Sequence, residues 1–151
     1  MPALDGLAKS KFQIREMCDA DLTQVVPLWE EAGVSRPWND PGTDIAFARK
    51  SPHSTILVGV VDDSVVATAM VGEDGHRGWV YYVATSPQLQ NAGIGRSMMV
   101  SAEAWLVQRG IWKLQLLVRA DNERAKGFYE RLGYKDTGSI CFQKVIGDAA
   151  S

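Results

Sequence analysis

The segment Gln90-Asn91-Ala92-Gly93-Ile94-Gly95-Arg96 has the residue types and spacing of an anion cradle. Gly93 and Gly95 remove side chains where backbone N–H groups turn toward the start of a helix. Those donors, with the positive end of the helix macrodipole, make a site for an anionic group such as a pyrophosphate. Asn91 tolerates the left-handed backbone region better than most residues. Elsewhere the titratable side chains are scattered. His76 sits in the turn Glu73-Asp74-Gly75-His76-Arg77-Gly78, where its imidazole and the adjoining carboxylates could act through water. His53, beside Pro52, has no supporting neighbours in sequence. Cys18 and Cys141 are isolated and lack metal-ligand spacing, so free thiols are expected and a metal site is not.

The cradle needs a strand ahead of it and a helix behind it, and both are legible. Val80, Tyr81, Tyr82 and Val83 read as a buried strand and Pro87 marks a turn. Ile94, Met98, Met99, Ala102, Trp105 and Leu106 then share one helical face. Upstream, Phe12-Gln13-Ile14-Arg15 alternates as a first strand. Asp19 or Asp21 can cap a helix with Leu22, Val25, Val26, Leu28 and Trp29 inward, ending at Gly33. Pro27 requires that helix to start late or to kink. Residues 35–42 form a proline-rich loop, and a short helix with Ile45, Phe47 and Ala48 should follow, stopping before Pro52. Residues 55–61 and 65–72 pair across the tight turn Asp62-Asp63-Ser64. Beyond the long helix, 114–119 alternates as a strand, and a helix carrying Phe128, Tyr129 and Leu132 ends at Gly133. Residues 134–145 should add one or two antiparallel strands. The predicted organisation is a flexible tail over residues 1–10 and a single domain over 11–147.

On the cradle residues the chain resembles the GNAT superfamily of acyl-CoA-dependent N-acetyltransferases. The family's loop runs Gln or Arg, two residues, Gly, any residue, then Gly or Ala. Many members carry Gly directly after the Gln or Arg, where this chain has Asn91. A second stretch, from Asp121-Asn122-Glu123 through Phe128-Tyr129 to Leu132-Gly133-Tyr134, resembles the family's closing helix. The two lie in the family's order, about thirty residues apart, and together are far more specific than either alone. The loop Arg36-Pro37-Trp38-Asn39-Asp40-Pro41 with Asp44, taken with Asp74–Gly78, resembles a bacterial subgroup of the YpeA type.

The resemblance implies a mixed α/β (α+β) fold with a mostly antiparallel central sheet of six to seven strands, splayed at the middle, and about four flanking helices. It implies acetyl-CoA as co-substrate, its pantetheine arm lying in the splay beside the backbone of Val83, Ala84 and Thr85. Gln90, Asn91, Ala92, Gly93, Ile94, Gly95, Arg96 and Ser97 would hold the pyrophosphate. A backbone N–H near Val83 would polarise the thioester carbonyl and stabilise the oxyanion. Asn122 would approach the CoA arm, or simply cap its helix. Tyr129 would protonate the CoA sulfur as the tetrahedral intermediate collapses, or hydrogen-bond it and pack.

On the acceptor side the candidates are Arg36, Trp38, Asn39, Asp44 and Tyr81; a tryptophan packed under a proline turn explains part of the same set structurally. A carboxylate such as Asp40 or Asp44 would suit a cationic amine, whereas Arg36 and Arg77 would suit an acidic acceptor, and the sequence chooses neither. Many members place a carboxylate on the organising strand, where this chain has Tyr81 and Tyr82, which leaves His76 as the other titratable candidate. The implied activity is acetyl transfer from acetyl-CoA to a primary amine by direct attack in a ternary complex. The alternative is a non-catalytic acyl-CoA-binding regulatory module of the same fold.

Composition narrows the field further. At 151 residues, 46% hydrophobic and 23% charged, the chain can bury a core, and its net charge of −2 shows no electrostatic footprint for nucleic acid. Its apolar runs are too short for a membrane span and its N-terminus lacks a signal-peptide core, so a cytoplasmic protein is expected. The resemblance, in whose fold the final strands often join in dimers, implies a monomer or homodimer. A Rossmann site would need a third small residue after Gly95, and a P-loop would need Gly-Lys-Ser/Thr.

Overall fold

The computed structural model describes residues 12–148, so the tail expected over residues 1–10 lies outside it. The described residues divide into two compact units at Leu116/Leu117. In the first unit β1 (Gln13–Glu16) leads through a 3-10 turn (Asp19–Asp21) into α1 (Leu22–Glu31) and α2 (Pro41–Lys50). Then come β2 (Ser54–Val61), β3 (Ser64–Glu73), β4 (Gly78–Thr85), α3 (Ile94–Val107) and β5 (Leu114–Gln115). The strands stand in chain order in one sheet, antiparallel except for the parallel pair β4–β5.

Local chemistry explains the joints. Asp62 and Asp63 both take positive φ (47° and 68°), the backbone that a two-residue hairpin needs to match strand twist. The Asp21 carboxylate does not cap α1. It accepts two guanidinium N–H bonds from Arg15, at 2.7 and 3.0 Å, and the Cys18 N–H at 2.8 Å, tying β1 to the helix start. The Arg15 bonds, aided by that amide, hold the Asp21 carboxyl well below the usual carboxylate range. Pro27 lies inside α1, which does not start late but begins at Leu22, and Val25, Leu28 and Trp29 are buried on its inner face.

Alternation along β3 sends successive side chains to opposite faces of the sheet. Trp29, Ile45, Ile56 and Val58 form a core on the face of α1 and α2. On the other face α3 lies against the sheet, its six predicted core residues all buried. Gly78 has no room for a side chain there: a Cβ would lie 2.4 Å from Leu106 Cδ1. Phe47, expected inward, is 67% exposed.

In the second unit α4 (Glu123–Arg131) ends ahead of Gly133, whose φ is +93°. Among the described residues the predicted six to seven strands are five, and residues 117–148 contribute none. Alternation becomes a strand only where a partner takes up the backbone N–H and C=O groups. Here β5 pairs for two residues, against Gly78 and Trp79, and the ladder stops. Ile140, Phe142 and Val145, which the pattern placed in final strands, are exposed.

Candidate active site

The glycine loop takes the backbone its residues allow. Gly93 stands at the N-cap of α3 with φ +82°, and Asn91 also takes positive φ, at +66°. Ala92 and Ile94 are buried and pin the loop to the core. Ser97 closes the first turn, its N–H donating to the Gly93 carbonyl at 3.1 Å and its hydroxyl to the same oxygen at 3.2 Å. The amides from Gly93 to Arg96 precede that first helical bond, so they are the orphan donors of the helix start.

Upstream of the cradle, β4 is bent on purpose. Thr68 pairs with Ala84 and Met70 with Tyr81, so β4 spends one residue more than β3 over the same span. Tyr82 has φ +51°, rare for a bulky side chain and costing roughly 1–3 kcal/mol. Three contacts offset that strain on one side of the sheet. The Tyr82 ring stacks on Trp29 with centroids 3.7 Å apart and planes 5° from parallel. Its hydroxyl donates to Asp44 Oδ2 at 2.6 Å, and its carbonyl accepts from Thr68 Oγ1 at 2.8 Å. Burial, and then the Asp44 bond, raise the Tyr82 phenol pKa far above its ordinary value, so the hydroxyl stays a donor. Because the bulge breaks alternation, the consecutive Tyr81 and Tyr82 line the same groove.

That groove has a volume of ≈ 440 Å³. Asn39, Asp44 and Phe47 border it from α2 and the preceding loop, and Trp79 and Tyr81 from β4. His53 and Glu73 meet in its lining, Nδ1 to Oε2 at 3.2 Å, with the Glu73 amide donating to the His53 carbonyl at 2.9 Å. Gly72 keeps the floor low, since a Cβ there would lie 2.9 Å from Ser54 Cβ. Asp74 completes the acidic lining. Backbone N–H groups of Arg77 and His76 hold its carboxyl below the ordinary range, so it remains ionised. The lining thus carries three carboxylates and neither lysine nor arginine.

Not every predicted residue arrives here. Asn39, Asp44 and Tyr81 line the groove; Arg36, Trp38 and His76 do not. Arg36 donates to the carbonyls of Gly33 and Ser35, and Arg77 lies over Trp112. His76 stays in the exposed turn, its N–H donating to Asp74 Oδ1 at 2.9 Å. His53, Phe47, Trp79 and Tyr82 join instead. Only contacts between segments far apart in sequence reveal them.

The sequence profile of the acetyltransferase (GNAT) family matches residues 16–134. This chain belongs to that family. Solved structures share the fold. A transcriptional regulator from Bacillus halodurans matches with a TM-score of 0.78 at 21% identity, over 89% of this chain and 99% of that one. An aminoglycoside 6'-N-acetyltransferase from Acinetobacter haemolyticus gives 0.75 at 15% identity, covering 90% and 99%. The PaiA N-acetyltransferase from Thermoplasma acidophilum, in complex with coenzyme A, gives 0.74 at 16% identity, covering 86% and 93%.

In this GNAT chain, β4 and β5 part beyond the Trp79–Gln115 pair, so from Val80 onward no strand among the described residues occupies that edge. In the second unit, Asn122 caps α4, its Oδ1 accepting from the Ala125 N–H at 3.0 Å. Tyr129 packs edge-on to Phe128 and Tyr134, at 4.9 and 5.8 Å between centroids. Burial pushes its phenol up to about 12.

Proposed function

We propose that the chain transfers an acetyl group from acetyl-CoA to a cationic primary amine bound in the ≈ 440 Å³ groove. The observation that carries this reading is the acidic groove that begins at the β4 bulge, on a strand whose outer edge and following glycine loop suit an extended thioester with a pyrophosphate. Val83, Ala84 and Thr85 present backbone to the pantetheine arm, and Gln90 to Ser97 hold the pyrophosphate. Three carboxylates favour a cationic acceptor over an acidic one. A structurally similar acetyltransferase named for aminoglycosides, which are amine-bearing, supports the same choice.

The chemistry balances as follows. The acceptor ammonium, with a pKa of about 10.4 for a lysine-type amine, gives one proton to the His53–Glu73 pair and thence to solvent. The neutral nitrogen attacks the thioester carbon, and the oxyanion is held by the Val83 N–H. Collapse breaks the C–S bond, the thiolate takes a proton from Tyr129, and the nitrogen's second proton restores the phenol. Tyr129 keeps its proton throughout the physiological range. The loop around Arg36 and the Asp74–Gly78 turn support a place beside the YpeA-type subgroup.

The rival reading, an acyl-CoA-binding module without turnover, draws on the lack of a carboxylate in β4. Thiol release from acetyl-CoA, followed across an amine panel, decides between them. We expect turnover with cationic amines, reduced about 10–100-fold in Tyr129→Phe. Micromolar acetyl-CoA binding without thiol release for any amine would establish the rival.

A further inference from the structure

Thr68 lies on β3, fully buried, and takes no part in the ladder with its side chain. Its Oγ1 accepts the indole N–H of Trp29 at 2.8 Å and donates to the carbonyl of Tyr82 at 2.8 Å. The chain α1 indole, β3 hydroxyl, β4 carbonyl therefore ends on the one peptide at which β4 leaves regular geometry.

That peptide is trans, as are all described here. In a planar trans peptide the carbonyl and the N–H of the next residue point in opposite directions. With the Tyr82 carbonyl drawn toward Thr68, the Val83 N–H must point away from β3, to the edge that β5 has left. A regular strand would leave this to the pleat. Here a left-handed tyrosine sets the orientation, and only its side contacts maintain it.

We infer that Thr68 is a positioning residue that aims the Val83 N–H at the oxyanion, with Trp29 fixing the rotor of its hydroxyl. The inference rests on the acetyl-transfer reading proposed above. It requires the hydroxyl and not the volume: valine fills the same space but cannot hold the carbonyl. An unheld peptide can rotate, and a donor misplaced by a fraction of an ångström loses most of its effect on a developing charge.

The test compares Thr68→Val, Thr68→Ser and Trp29→Phe by steady-state kinetics with one accepted amine. Thr68→Val should lower kcat on the order of 10–100-fold, with KM for acetyl-CoA and amine within about twofold. Thr68→Ser, which keeps the hydroxyl, should stay within about threefold of wild type. Trp29→Phe preserves the stack but frees the hydroxyl, and should lose about 3–10-fold in kcat alone. In the 15N-labelled protein the Val83 amide resonance should move in Thr68→Val and be restored in Thr68→Ser.

A wild-type kcat in Thr68→Val would overturn the inference, as would equal losses in the serine and valine variants that track melting temperature. If Thr68→Val does not fold, an unaltered kcat in Trp29→Phe does the same. Acetyl transfer insensitive to these changes sinks the positioning role and spares the proposed activity; no transfer by wild type removes both.

Discussion

The proposed anion cradle and the proposed acceptor groove belong to the same compact unit and are built in opposite ways. The cradle is a run of backbone amides, and its side chains matter chiefly where they are missing or buried. The groove is an assembly of side chains from α2, β2, β3 and β4 and the Asp74 turn, and its backbone matters chiefly at the bulge and at Gly72. One can be damaged by adding atoms at a single position. The other can be retuned by removing a charge and should otherwise persist.

Gly93→Glu therefore separates the two regions most widely. It puts a Cβ at φ +82° and a carboxylate where an anion should sit, and acetyl-CoA affinity measured by isothermal titration should fall at least ~100-fold. Asp44→Asn removes a charge from the groove while leaving an amide oxygen that can still accept the Tyr82 hydroxyl. It should raise KM for a cationic acceptor about 10–100-fold, the worth of one charged hydrogen bond, while acetyl-CoA affinity moves less than about threefold. A comparable loss of acetyl-CoA affinity in Asp44→Asn would show that the regions are not separable.

Asp21→Asn is the smallest test and lies outside both. Arg15 is partly exposed, so the expected destabilisation at pH 7 is only about 1–2 kcal/mol in a urea melt. Because the folded carboxyl is depressed, its contribution is fully present above the unfolded pKa of about 3.9 and declines as pH falls toward the folded value. The gap between variant and wild type should accordingly close in acid, with neither region's ligand affinity altered at pH 7.

The same contrast explains what could be read in advance. Gly93, Gly95 and the periodic face from Ile94 to Leu106 are local patterns, and a local pattern is visible in one dimension. Asn39, Asp44 and Tyr81 were legible only as loosely placed candidates. The meeting of His53 with Glu73 was hidden because it depends on the β2–β3 register. The bulge was hidden because one extra residue among Val80, Tyr81, Tyr82 and Val83 leaves no mark in a run that is apolar or aromatic throughout. His76 had the right chemistry in the turn, but its ring lies outside the groove. In the second unit the alternation of residues 134–145 suggested strands, and the missing ingredient was a pairing edge, which composition does not encode.

The bulge also constrains how this chain can change by descent. Point substitutions at Tyr81 or Tyr82 alter one wall of the groove. Loss of a single residue there would restore regular pleating and flip the remaining side chains across the sheet, like a shifted reading frame within a folded strand. Drift in length should thus be far rarer at this point of β4 than drift in residue type, and a lineage that lost one residue would have to rebuild that wall of the groove entirely.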